Sequence, residues 1–196
     1  MASNYSLKYN VDIVMCIDAT GSMNGILSTV KRNAMNFYED LVAQMQKKGK
    51  QVNDLRIKVI VFRDYIADGD KAMLASGFFS MPREREDFRE LVDTIKAEGG
   101  GDDPEDGLEA PTHPLGFGRK AKNYPAKMAA SFDQLTAWWD QMDSKAKRLL
   151  IYAPEEKYWT TVSDCWDNTM HFPSKAGNGL KEFEYSEILS EICNTI

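Results

Sequence analysis

The sequence lacks any long hydrophobic run. None of its 196 residues lies in a stretch approaching the roughly 18 uninterrupted apolar residues of a membrane-spanning helix, and its start has no apolar core of signal-peptide length. Its three cysteines, Cys16, Cys165 and Cys193, are far apart and form no CxxC pair. An odd, scattered set is typical of reduced thiols and not of a disulfide framework. We therefore expect a cytoplasmic chain without a membrane span.

Positive charge and histidine are also scarce. The chain has 24 Lys and Arg against 30 Asp and Glu, a net charge of −6, whereas a dedicated nucleic-acid binder normally carries a basic face. His113 and His171 show no zinc-ligand spacing. There is no Gly-x-x-x-x-Gly-Lys-Ser/Thr phosphate loop, and no nucleophile–histidine set stands out. These absences argue against a dedicated nucleic-acid binder, a phosphate-loop enzyme and a hydrolase with a nucleophile–histidine set.

The apolar and charged fractions, 43% and 28%, are those of an ordinary globular protein, and we expect one domain over residues 1–196. Val11–Ile17 is a near-continuous apolar run, which predicts a strand buried on both faces, with Cys16 as a small core residue. An amphipathic helix is expected next. Its apolar stripe consists of Ile26, Val30, Ala34, Phe37, Leu41 and Met45.

Strands and helices alternate along the rest of the chain. Strands are predicted at 55–62, 73–79, 148–152 and 169–172, and helices at 84–96, 132–142 and 184–196. This order is typical of an α/β fold with a doubly wound, mostly parallel central sheet flanked by helices. Ligands of such Rossmann-like folds bind at the carboxyl ends of the strands, where Asp18 and Asp64 fall.

Oxygen-bearing side chains follow the first predicted strand. Asp18, Thr20 and Ser22 alternate along a tight strand-to-helix turn that contains Gly21, so they are expected to converge. One carboxylate and two hydroxyls are hard oxygen ligands, which suit Mg²⁺ with several retained waters. The start of the following helix would complement an incoming anion. The turn therefore predicts a Mg²⁺ site, with Mn²⁺ or Ca²⁺ as alternatives.

This turn resembles the first loop of the metal-ion-dependent adhesion site (MIDAS) of von Willebrand factor type A (vWA) domains. The family pattern is Asp-x-Ser-x-Ser, with Thr allowed in the middle place, and here it reads Asp18-Ala19-Thr20-Gly21-Ser22. Residues 99–106, Gly-Gly-Gly-Asp-Asp-Pro-Glu-Asp, resemble the second metal loop, a Gly-Gly turn followed by Thr or Asp. The resemblance, closest to bacterial single-domain members, implies Asp102 as a further metal ligand.

Three other acidic residues have two interpretations each. Asp64 could accept hydrogen bonds from metal-bound waters, or form a local salt bridge with Arg63. Asp103 could face the metal, or cap the helix that begins near Pro104. Glu155 is a substitute for an acidic ligand of the third metal loop, which is missing here, or an ordinary surface residue.

The third metal loop of the family, a strand ending in Thr-Asp, is not found. Pro111 and Pro114 stop the helix begun near Pro104 after about two turns. The Ala110-Pro111 junction reads like a deletion of part of a helix and one central strand, roughly 20 to 30 residues. The alternative is that residues 148–152 fill the vacant place. That strand ends in Tyr152, a poor Mg²⁺ ligand, where the family has Asp.

The resemblance implies a metal-dependent protein-interaction module. Its Mg²⁺ would be completed by an Asp or Glu carboxylate of a partner protein. Two alternatives stay open. One is a degenerate vWA scaffold that no longer binds metal; the other is a Mg²⁺-dependent phosphohydrolase with Asp18 as nucleophile, against which Thr20 stands where a second Asp would be needed.

Overall fold

The computed structural model describes residues 7–100, 122, 126–127, 129, 131–155, 157–175 and 182–196. In these residues the chain forms five strands and six α-helices. The strands are β1 (Leu7–Asp18), β2 (Lys50–Phe62), β3 (Met73–Met81), β4 (Leu149–Ala153) and β5 (Thr169–Pro173). The helices are α1 (Asn24–Lys47), α2 (Tyr65–Asp68), α3 (Arg85–Thr94), α4 (Phe132–Gln141), α5 (Lys157–Cys165) and α6 (Tyr185–Thr195). No helix in these ranges is long and apolar enough to cross a membrane.

The first sheet has the order β1-β2-β3. β1 and β2 are parallel, and β2 and β3 are antiparallel. The parallel pair needs a crossover connection, which α1 supplies. The parallel register pairs Asp18 with Phe62, so the strand ends that carry Asp18 and Asp64 lie at the same edge of the sheet, as predicted.

Helix α1 forms because its apolar residues recur every three or four positions. Its buried residues are Ile26, Leu27, Ala34, Phe37, Leu41 and Met45. The helix ends before Gly49, whose φ of 71° suits a glycine at a helix C-terminus. α1 packs against β2, α3 and α6, so this stripe joins the sheet to two other helices.

The core lies on one face of the first sheet. Leu55, Ile57, Val59 and Val61 of β2 are buried in a single apolar cluster with residues of α1, α3 and α6. The residues between them, such as Arg56, point to the other face, where Val14 is 48% exposed and Cys16 is exposed. The predictions that the first strand is buried on both faces and that Cys16 is a core residue are therefore wrong. The described helices that share this core, α1, α3 and α6, pack on the face of the sheet that carries Leu55, Ile57, Val59 and Val61.

β4 and β5 form a second sheet of two parallel strands. The described strands thus make two sheets, so the α/β class is confirmed, whereas one doubly wound central sheet is not seen in them. The predicted deletion at Ala110-Pro111 lies outside the described residues and stays a prediction.

Around α4, aromatic rings and one buried lysine pack together. Phe132 and Trp139 both stack on Trp166, with ring centroids 5.8 and 5.1 Å away. Trp138, next to Trp139, is 42% exposed, so one ring of the pair packs and the other faces solvent. The side chain of Lys147 is 2% exposed and its ammonium lies 4.7 Å from the Trp139 ring centroid.

Candidate metal centre

Asp18, Thr20 and Ser22 lie together, as the sequence predicts. Oδ1 of Asp18 accepts hydrogen bonds from the backbone N–H and the hydroxyl of Thr20, both at 2.9 Å. The hydroxyl oxygens of Thr20 and Ser22 are 3.1 Å apart. Thr20 is 5% exposed, so its hydroxyl is held in place by the turn. These three predicted ligands form one cluster of oxygen atoms between the end of β1 and the start of α1.

The predicted second metal loop is bonded directly to this turn. The N–H of Gly21 donates to the carbonyl of Gly99 at 3.1 Å, and the N–H of Glu98 donates to the carbonyl of Ala19 at 3.1 Å. The loop that leads to Asp102 therefore passes beside the Asp18 cluster. Asp102 and Asp103 themselves lie outside the described residues.

Asp64 caps a helix. Its Oδ1 accepts hydrogen bonds from the backbone N–H groups of Ile66 and Ala67, at the start of α2. A carboxylate at this position satisfies backbone donors that a helix leaves free. Arg63 does not form the predicted salt bridge with Asp64. It pairs with Glu98 instead, at 3.9 Å. A role of Asp64 toward metal-bound water stays a prediction.

Asp68 holds the glycine loop and was not singled out from the sequence. Its Oδ2 accepts hydrogen bonds from the N–H of Gly100 at 2.9 Å and of Asp64 at 3.3 Å. A Cβ atom added to Gly99 would lie 1.8 Å from Oδ1 of Asp68. Only glycine therefore allows this approach of the loop to the carboxylate. In the sequence, the run of glycines at 99–101 indicates a close approach of the backbone to another group, but it does not identify that group as Asp68.

Arg63 ties three loops together and was considered from the sequence only as a partner of Asp64. Its Nε donates to the carbonyl of Ala19 at 3.0 Å, its Nη1 to that of Lys71 at 3.0 Å, and its Nη2 to that of Lys96 at 2.7 Å. The side chain is 11% exposed. A rigid, planar guanidinium can bind three separate carbonyls at once, which a flexible ammonium does less well. Arg63 is thus a positioning residue for the turn that carries Asp18.

Neither Tyr152 nor Glu155 replaces the missing acidic ligand in any observed contact. Burial, with a smaller contribution from Glu191, raises the pKa of Tyr152 to about 12, so its phenol stays protonated at neutral pH. Its ring stacks on Phe172 with centroids 4.8 Å apart. Glu155 is exposed after the end of β4. Glu155 as a metal-site residue stays a prediction.

The donor set near Asp18 fits a hard divalent cation. It offers one carboxylate and two hydroxyls, and Mg²⁺ completes its octahedron with retained waters. Across the described ranges, no group of three or more His, Cys, Asp or Glu side chains is arranged to hold a metal ion. Among the described residues, the hydroxyl oxygens of Thr20 and Ser22 would supply the donors beside the one carboxylate of Asp18.

Known families give no independent identification. No protein-family model matches the chain. No curated protein matches it either. The likeness to vWA domains rests on Asp18-Ala19-Thr20-Gly21-Ser22 and on the glycine loop that follows α3.

Proposed function

We propose that this chain is a metal-dependent protein-interaction module of the vWA type. Mg²⁺, or Mn²⁺ or Ca²⁺ in its place, would be held by Asp18, Thr20 and Ser22, with Asp102 as the further ligand that the resemblance implies. The observation that carries the proposal is the chain of three oxygen-bearing side chains, in which the Thr20 hydroxyl lies 2.9 Å from Asp18 and 3.1 Å from Ser22, on a turn bonded to the glycine loop. The metal, when bound, would supply a coordination position for a carboxylate of the partner.

Hard oxygen ligands at the proposed site favour an acidic partner. Asp18 contributes one negative charge and Thr20 and Ser22 are neutral, so even with Asp102 as a second carboxylate the ligands do not carry more negative charge than a divalent cation carries positive charge. Helix α1 begins at Asn24, directly after the turn, and its free N–H groups and dipole also favour an anion. A partner's Asp or Glu would meet both attractions. We therefore propose a protein partner and not nucleic acid.

Metal binding is tested by calorimetric titration of Mg²⁺ and Mn²⁺ into metal-stripped protein. Asp18→Ala removes the charged ligand, and Asp140→Ala removes an exposed carboxylate near the end of α4 as a matched control. We expect saturable binding in the wild type and in Asp140→Ala, and none in Asp18→Ala. Binding should also raise the melting temperature by mass action.

A metal-free scaffold is the competing function. It is favoured by the protonated Tyr152 where the family has an acid, and by the single carboxylate in the described donor set. If the folded wild type binds neither metal, the metal-dependent module is refuted and the scaffold takes its place. Equal loss of binding in Asp18→Ala and Asp140→Ala would show that the ions bind elsewhere.

The thiols support a reducing compartment such as the cytoplasm. Cys16, Cys165 and Cys193 are all free in the structure. Two of them are exposed, and exposed thiols persist where cellular reductants keep them reduced. This location is part of the proposal and agrees with a partner inside the cell.

A further inference from the structure

An open groove runs between the first half of α1 and the end of α3. It encloses about 540 Å³ and extends along α1 from Asn24 to Asn36. Asn24 directly follows Met23, at the end of the turn that carries Thr20 and Ser22. At its other wall the groove reaches Lys96, whose carbonyl accepts a hydrogen bond from Arg63. The groove therefore begins beside the candidate metal centre.

The lining of the groove is basic although the whole chain has a net charge of −6. Four cationic side chains line it, and among the described lining residues Asp93 is the one carboxylate. The four are Lys31, Arg32, Arg89 and Lys96. Such a reversal of sign in an acidic protein attracts acidic ligands locally while the rest of the surface repels them.

The cations of the groove are not equally engaged. Lys31 pairs with Asp93 at 3.5 Å and donates to the carbonyl of Ile95 at 3.2 Å, so its ammonium is already bound within the protein. Arg89 reaches Glu86 only at 4.0 Å, and although its Nε is buried, its side chain is 33% exposed. Arg32 is exposed, and no carboxylate of the described residues forms an ion pair with it. Donors of this kind suit a carboxylate from outside.

The shape of the groove suits a short extended peptide. From Asn24 to Asn36 the helix rises by about 18 Å, at about 1.5 Å per residue. An extended chain covers that length with about six residues, at roughly 3.3 Å each. Leu27 and Ile95 are almost fully buried at the bottom of the groove, and Met35, which is only partly buried, offers apolar surface to side chains between the acidic ones.

We propose that this groove binds an acidic peptide segment of the partner protein, in which Asp or Glu alternates with apolar residues. Arg32 and Arg89 bind its carboxylates, and Lys96 adds positive charge at the end near Arg63. The further step, in which one carboxylate of the same segment reaches the metal at Asp18, rests on the proposed function. The contacts with the groove itself require no metal.

The test is fluorescence anisotropy with a fluorescein-labelled peptide of about eight residues, alternating Glu and Leu, with Mg²⁺ and with EDTA. A Gln–Leu peptide of the same length is the neutral probe. Arg32→Glu reverses a charge in the groove, and Arg83→Glu reverses one outside it, on a side chain 79% exposed. Arg32→Gln and Arg89→Gln serve as milder variants, and circular dichroism checks that each is folded.

We expect the Glu–Leu peptide to bind in EDTA and the Gln–Leu peptide to bind about tenfold more weakly or not at all, because charged hydrogen bonds are lost. Arg32→Glu should weaken binding by about tenfold or more, and Arg83→Glu by less than about twofold. Added salt should weaken binding. Asp18→Ala should remove only the additional affinity that Mg²⁺ confers.

Equal binding of both peptides, equal loss in Arg32→Glu and Arg83→Glu, or no binding would each overturn the acidic-peptide groove. Binding of a thymidine oligonucleotide in place of the peptide, sensitive to Arg32→Glu, would do so as well and would assign the groove to nucleic acid. The two proposals fail separately. If the peptide binds in EDTA but calorimetry detects no metal binding, only the metal function is refuted. If metal binds but the peptide does not, only the groove proposal is refuted.

Discussion

Gly99 joins the glycine loop to the turn that carries Asp18. Its φ is 78°, a conformation that residues with a Cβ atom adopt at a cost, and its carbonyl accepts the hydrogen bond of Gly21. The carboxylate of Asp68 occupies the space of the missing side chain. Because Asp68 is held by two backbone N–H groups, it cannot move away without losing those bonds.

Gly99→Ala should therefore lower the free energy of unfolding by about 2 to 4 kcal/mol, the sum of the backbone strain and the clash with Asp68. Gly49→Ala is the matched control, since Gly49 has a φ of 71° but nothing within 4 Å of its added Cβ. It should cost about 1 kcal/mol. Urea unfolding measures both, and equal costs would show that Asp68 does not press on the loop.

A second residue-level prediction concerns the buried Lys147. Its ammonium lies 2.8 Å from Oδ1 of Asp167 and donates to the carbonyl of Trp139 at 2.8 Å. The hydrogen bond from Lys147, aided by one from Trp139, lowers the pKa of Asp167. A carboxyl with a lowered pKa in the folded state stabilises the protein above its unfolded pKa, about 3.9, and loses that stabilisation as the pH falls through its folded pKa.

The stability of the wild type should thus fall more than that of Asp167→Asn between pH 7 and about pH 3. Urea midpoints followed by tryptophan fluorescence give the comparison. Asp164→Asn, which removes an exposed carboxylate with none of these contacts, should follow the wild type. Parallel curves for the wild type and Asp167→Asn would contradict a stabilising role for the Lys147–Asp167 pair.

Among the elements, β1 shows that a near-continuous apolar run can be covered on one face only, since Asp12, paired with Arg56, lies on the same face as Val14 and Cys16. Its inner residues join the core, whereas Val14 and Cys16 lie on the open face of the sheet. Parallel strands with both faces apolar normally have helices on both sides. The exposure of Cys16 makes this face accessible to experiment.

A thiol reagent such as Ellman's reagent should react with Cys16 and Cys165 in the folded protein, and Cys16 should be the slower of the two because burial raises the pKa of its thiol. Cys193 is 0% exposed on α6 and should react only on unfolding. Cys16→Ser should leave one prompt thiol. If Cys16 reacts as slowly as Cys193, the outer face of β1 is covered in solution, and the doubly wound arrangement regains support.

Most predicted elements appear, with differences at their ends. The strand predicted at 55–62 is Lys50–Phe62, and its polar start is paired with residues of β1. Because the pairing partner lies outside the window of any local pattern, apolar periodicity missed this extension. Helix α5 was not predicted, because its sequence, Lys-Tyr-Trp-Thr-Thr-Val-Ser-Asp-Cys, is short and its central Thr-Thr-Val is β-branched, which is unfavourable in a helix.

In the whole molecule, the two sheets differ in how deeply their residues are buried. The first sheet and its helices share one large cluster, whereas Ile151 is the buried apolar residue among the described positions of β4 and β5. Helix α6 follows the second sheet in the chain but packs Leu189 and Cys193 into the first core. All four tryptophans lie between residues 138 and 166, so their fluorescence reports on the second half alone.

We therefore expect the second sheet, with the tryptophan residues around it, to unfold at a lower denaturant concentration than the first sheet and the helices packed on it, which include α6. The midpoint from tryptophan fluorescence should lie below the midpoint at which Cys193 becomes reactive. Ile151→Ala should shift mainly the first of these midpoints, and Leu41→Ala, at 0% exposed in the first core, mainly the second. Coincident midpoints would show one cooperative core that spans both sheets.

Local patterns in the sequence determined the five strands, the four longer helices α1, α3, α4 and α6, and the Asp18, Thr20 and Ser22 turn. Apolar periodicity and turn residues act over a few neighbouring positions, so they can be read along the chain. Only the tertiary structure decided that Asp68 supports Gly100, that Arg63 binds the carbonyls of Ala19 and Lys96, and that the described strands form two sheets. These contacts join positions 32 to 44 residues apart, and a residue gives no local sign of a partner that folding brings from such a distance.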